Sequence, residues 1–115
     1  MLAKEVIAYL ERRFPLEHAE DFDQSKIGLI IGCDDFIINK ILLSLDLSID
    51  VAKEAIENKA NLIICHHPFF FEPLHKILLN TEQGEVLKLL LQHEISVYAM
   101  HTNLDVGQGG VNDVL

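Results

Sequence analysis

Between residues 41 and 100 the chain alternates twice between a short apolar run and a longer stretch with helical spacing, and few folds accept that alternation. Ile41-Leu42-Leu43-Ser44-Leu45 reads as an apolar strand, followed by Asp46. Ser48 can cap a helix running through Val51, Ala55 and Ile56 to about Asn58, with Asp50 favourably placed in its first turn. Residues 61–65 form the next strand. Two apolar strands joined by a helix make a βαβ unit, a connection that is right-handed and sets the strands parallel.

A second unit follows. Asn80 and Gln83 resemble a capping box, Val86, Leu87, Leu90 and Leu91 mark the helix, and residues 95–100 form the third strand. Gly84 weakens that helix near its start, by up to ~1 kcal/mol against alanine. Upstream, residues 2–13 place Leu2, Val6, Ile7 and Leu10 on one helical face before Pro15 stops the run. A polar loop over residues 17–26 leads to a short buried strand between Gly28 and Gly32. The expectation is a single α/β domain over residues 1–115, with βαβ units and a mainly parallel sheet flanked by helices.

In parallel α/β sheets ligands bind beyond the carboxyl ends of the strands. Those ends carry Asp46, then His66 and His67, then His101-Thr102-Asn103-Leu104-Asp105. Two imidazoles and a carboxylate suit a divalent transition metal with room left for water. Adjacent residues in a regular strand face opposite ways, which opposes a shared site, but Pro68 ends the strand and lets the two rings splay. Each histidine alone reads as a core or surface residue, and Asp46 as a helix-entry residue. The pair after one strand, matched by His101 and Asp105 after the next, favours metal. His18, His75 and His93 have no such company. Cys65 has the chemistry of a zinc ligand, yet a cysteine closing an apolar strand reads as core. Phe69, Phe70 and Phe71 read either as the wall of a substrate pocket or as packing against another subunit.

Charge and composition exclude some classes. A net charge of −9 with only nine lysines and arginines makes nucleic acid an unfavourable partner. Membrane spans need about 18 uninterrupted apolar residues, and none occurs in the sequence. With no basic-then-apolar leader at the N-terminus and two cysteines, a cytoplasmic setting with free thiols is expected.

These residues resemble the Ngg-interacting-factor-three-like proteins, a dinuclear-metal-centre family often catalogued as GTP cyclohydrolase 1 type 2 homologues. The resemblance runs over nearly the whole chain. It rests on the first helix, Phe22-Asp23, Gly28-Leu29, Leu45-Asp46-Leu47-Ser48, Asn61-Leu62-Ile63-Ile64, His66-His67-Pro68, and His101-Thr102-Asn103-Leu104-Asp105 with Gly110 and Asn112. The histidine pair and the aspartate motif, in that order, are its specific parts.

The resemblance implies two divalent metal ions (Fe, Mn, Zn or Ni) held by His66, His67 and Asp105, with Asp105 touching both. It implies a catalytic acid/base or supporting role for His101. It further implies a histidine and a glutamate spaced four apart on a helix near the family's C-terminus, which this sequence does not contain. Residues 109–115 read as the entry to a further helix, and the chain as the N-terminal part of a longer metal-binding protein. Where the family has tryptophan, aspartate and asparagine before the glycine-leucine strand, this chain has Phe22-Asp23-Gln24-Ser25. Family members assemble as homohexamers, so a homo-oligomer is expected. The chemistry implied is hydrolysis of a small-molecule substrate, a nucleotide or phosphoester; the rival is a non-catalytic metal-binding scaffold or regulatory oligomer.

Overall fold

The computed structural model of the chain describes residues 1–19, 26–70 and 72–101. In order these form α1 (Ala3–Arg13), a 3-10 turn (Leu16–His18), β1 (Gly28–Ile31), β2 (Ile41–Ser44), α2 (Ile49–Glu57), β3 (Leu62–Cys65), α3 (Glu82–Gln92) and β4 (Ser96–Ala99). The strands make one sheet in the order β1-β4-β3-β2. β2, β3 and β4 are parallel, as two βαβ units require, and β1 pairs antiparallel with β4. The sheet is therefore mixed. No crossover helix joins β1 to β2, so nothing forces β1 into the parallel sense.

β1 also departs from the buried strand expected. It lies at the sheet edge with Leu29 37% exposed, and its register slips between Leu29 and Ile31. β2 is the opposite edge. Its Leu42 packs into the core, whereas Ile41, Leu43 and Leu45 are exposed.

Alternation along the two central strands divides the core. Ile63, Cys65, Val97 and Ala99 face α2 and α3, packing with Ala52, Ala55, Val86, Leu87 and Leu90. Leu62, Tyr98 and Met100 face the other way, toward Ile7 and Leu10 of α1. The small Ala52 and Ala55, both fully buried, let α2 approach the sheet closely. α1 is fixed by a polar contact too: the Tyr98 hydroxyl donates to Glu11 Oε2 at 3.1 Å. Burial first, and the Glu11 carboxylate second, push the Tyr98 phenol well above its ordinary pKa.

The helix starts follow side-chain caps. Ser48 Oγ accepts from Val51 N at 3.2 Å, as its position predicts. α3 begins differently from expectation: Thr81 Oγ1, not an Asn80 capping box, accepts from Gly84 N at 3.1 Å. Leu91 is turned outward, 60% exposed, so the buried stripe of α3 is Val86, Leu87 and Leu90.

The structure also gives Gly84 a reason. A Cβ there would lie 1.9 Å from the Leu78 carbonyl oxygen, so the segment before α3 folds back against a bare Cα. Helix propensity alone makes Gly84→Ala stabilising by about 1 kcal/mol. The overlap predicts the opposite sign, a loss on the order of 1–3 kcal/mol in urea unfolding; a stabilised variant would contradict this packing.

Candidate metal centre

Register levels the carboxyl ends of the three parallel strands. Ser44 pairs with Cys65, and Cys65 with Ala99, in one row across the sheet. Two residues beyond that row, each strand delivers a polar side chain: Asp46, His67 and His101.

His66 joins them because the backbone stops alternating. In a regular strand, successive N–H groups point to opposite sides. Here His66 N donates to Ser44 O at 3.1 Å and His67 N to Leu45 O at 2.9 Å, both toward β2. β3 has ended at Cys65, the chain rolls before Pro68, and the adjacent imidazoles share one rim. The objection raised by strand alternation is thereby removed.

The three rings form a tight group. Ring centroids of His66 and His67 are 5.2 Å apart, His66 and His101 5.1 Å, and His67 and His101 5.8 Å. Each is half-buried, and their candidate donor atoms all lie within 4.8 Å of one another. Tetrahedral donors around one cation, each about 2.1 Å from it, are about 3.4 Å apart. The cluster fits after ring adjustments of about an ångström, or by sharing two cations. Imidazole donors at a half-open rim are the set that divalent zinc, iron, copper or nickel accepts.

One ring is held by backbone. His66 Nδ1 donates to the Met100 carbonyl at 2.9 Å, and since a carbonyl can only accept, the ring proton sits on Nδ1 and the lone pair on Nε2. Met100 is itself fixed by its N–H to Cys65 O at 2.9 Å. His67 Nδ1 lies 2.5 Å from Asp46 Oδ1, with the two side chains 43% and 65% exposed.

The sequence-predicted residues divide clearly. His66, His67 and His101 come together, and His101 stands as near His66 as His67 does. Asp105, with residues 102–115 around it, lies outside the described residues. Cys65 is core: it is 1% exposed among Ile63, Val97 and Ala99. Burial, with a smaller contribution from the Asp46 charge, raises its thiol to about 11. His93 Nδ1 donates to Leu89 O at 3.0 Å at the end of α3, and His75 is exposed.

Two clefts flank the histidines. One, of about 410 Å³, is bordered by His67, Leu47, Pro68, Phe69 and Val86 with Asp46 and Glu82. The other, of about 710 Å³, is bordered by His66, His67, Leu43, Leu45, Ile64 and Met100. Both have the size of small-molecule sites. Phe69 lines the first while packing edge-on against Phe70, centroids 5.0 Å apart, over the α2/α3 core. Phe71 is outside the described residues.

Residues 1–115 match the family described as Duf34/NIF3 (NGG1p interacting factor 3), and the chain belongs to it. It is 43% identical over 111 residues to a GTP cyclohydrolase 1 type 2 homolog of Listeria innocua, covering 96% of this chain and 29% of the relative. The Bacillus subtilis protein of the same name is 42% identical over 112 residues, covering 97% and 30%. The chain thus spans about 30% of the length of these curated relatives. Among solved structures, a Bacillus cereus protein related to NIF3 superposes with a TM-score of 0.93 at 38% identity, covering 99% of this chain and 31% of that one. Reduced HcgD from Methanocaldococcus jannaschii superposes with a TM-score of 0.91 at 34% identity, covering 98% and 44%.

The raised Cys65 pKa has a signed consequence. The folded value, about 11, exceeds the ordinary 9.0, so this thiol's contribution to stability is complete below pH 9 and is lost as pH rises toward 11. At neutral pH, exposed Cys33 should react rapidly with a thiol reagent while Cys65 reacts only on unfolding. Equal labelling rates in the native protein would contradict the burial.

Proposed function

We propose that, as a chain of the Duf34/NIF3 family, this protein forms part of a divalent-metal-dependent hydrolase acting on a nucleotide or phosphoester. The observation that carries the reading is the group of three imidazoles, gathered from the ends of β3 and β4 and bordered by two ligand-sized clefts. The relatives' name, GTP cyclohydrolase 1 type 2 homolog, supports a purine nucleotide as the substrate class.

His66 and His67 hold the cations, with Asp105 as the carboxylate that the family resemblance supplies. Bound there, divalent cations supply Lewis acidity and water that loses a proton near neutral pH. His101, beside both rings, holds or moves a proton at the reacting centre. Phe69 and Pro68 border the first cleft and keep water from one side of the substrate.

Charge supports the requirement for metal. The chain carries −9 overall, and Asp46 and Glu82 border the first cleft. An anionic phosphate approaches such a surface only when cations provide the opposing charge.

The test is hydrolysis of nucleotides and generic phosphoesters by the full-length protein with added manganese, iron or zinc, alongside its metal content. His67→Ala should lower both metal affinity and turnover by more than the roughly 10–100-fold that loss of a supporting partner brings. Its thermal unfolding should stay close to that of the parent. Tight metal binding without turnover on any substrate would replace this reading by a metal-binding scaffold.

A further inference from the structure

We propose that Asp46 is a positioning residue of the metal centre, acting through His67 and not as a ligand: its carboxylate fixes the His67 imidazole with the proton on Nδ1 and presents Nε2 to the cation. This inference rests on the metal reading above and adds to it the group that orients the second ring.

The geometry is specific. Asp46 Oδ1 lies 2.5 Å from His67 Nδ1, inside hydrogen-bond reach and on the short side of the range for a nitrogen donor to a carboxylate. An ionised carboxylate can only accept, so the bond places the imidazole proton on Nδ1 and leaves Nε2 as the coordinating atom. His66 obtains the same tautomer from a backbone carbonyl. The two rings are therefore set alike by different acceptors, one neutral and one charged.

The carboxylate does not arrive there by chance. Ser44 Oγ donates to the Asp46 carbonyl at 2.5 Å, closing the turn after β2. His67 N donates to Leu45 O at 2.9 Å, tying the residue before Asp46 to the residue that Asp46 orients. The ordinary alternative for an aspartate between a strand and a helix is a cap, but α2 is capped by Ser48 Oγ. That leaves the Asp46 side chain available to His67.

Coordination through Nε2 with a carboxylate on Nδ1 makes the ring a better donor and restricts its rotation. Two consequences separate this role from others. Asp46→Asn retains an oxygen acceptor and should keep the Nδ1–H tautomer, whereas Asp46→Ala should lose it. Zinc affinity should fall by about 10–100-fold in Asp46→Ala and by less in Asp46→Asn.

The experiment uses the intact protein. Two-bond proton–nitrogen correlation NMR at about pH 8.5, above the ordinary histidine range, reads the His67 tautomer in metal-free protein. Zinc titration reads the affinity of the same samples. An Nδ1–H signal for His67 that survives in Asp46→Asn and gives way to Nε2–H in Asp46→Ala, with the graded loss of zinc affinity, supports the proposal. A His67 tautomer unchanged in Asp46→Ala overturns it, as does zinc affinity in that variant within twofold of the parent. Equal, large losses in both variants with an unchanged tautomer would overturn it in favour of direct ligation. Failure of the metal reading is distinguishable: the unsubstituted protein would then bind no zinc, whatever its tautomers.

Discussion

Everything at the histidine rim depends on the register of three parallel strands. Because Ser44, Cys65 and Ala99 share a row, residues far apart in the chain leave the sheet at the same height. A slip of one residue in β3 would exchange Ile63 and Cys65 for Leu62 and Ile64 on the α2/α3 face. It would also carry His66 and His67 away from His101. The apolar packing that prevents such a slip and the geometry that gathers the imidazoles are consequences of one alignment.

The division of the core explains why that alignment is firm. Ile63, Cys65, Val97 and Ala99 are each no more than 1% exposed beneath α2 and α3. Burial of a Val or Ile side chain contributes about 1.5–3 kcal/mol. On the other face Tyr98 is wholly buried and joined to Glu11 of α1. The central pair β3 and β4 is thus held from both sides, while the edge strands β1 and β2 keep exposed leucines. Polar chemistry sits where the held strands end, beyond the last ladder bonds, so the rings can orient without disturbing the sheet.

Much of this was legible in the sequence. The alternation of apolar runs and helical spacing gave the parallel order of β2, β3 and β4, because a helix of this length between two strands permits little else. The strand ends gave Asp46, His66, His67 and His101. Less legible was whatever depended on backbone direction or on contacts between distant segments. β1 carries no crossover helix to report its sense, so its antiparallel pairing had no signal. Thr81 as the cap of α3 was hidden by the more familiar Asn80–Gln83 spacing. Gly84 read as a weakness until the Leu78 carbonyl stood against it. Cys65 beside two histidines invited a metal reading, but its place at the close of an apolar strand pointed correctly to the core. The Met100 carbonyl that orients His66 is a backbone atom and has no sequence signature.

The most direct measurement of the central claim is anomalous diffraction from crystals of the intact protein grown with zinc or manganese. The account predicts anomalous density within coordination distance, about 2.1 Å, of ring nitrogens of both His66 and His67. Cations found only elsewhere, with these two imidazoles bound to none, would contradict it.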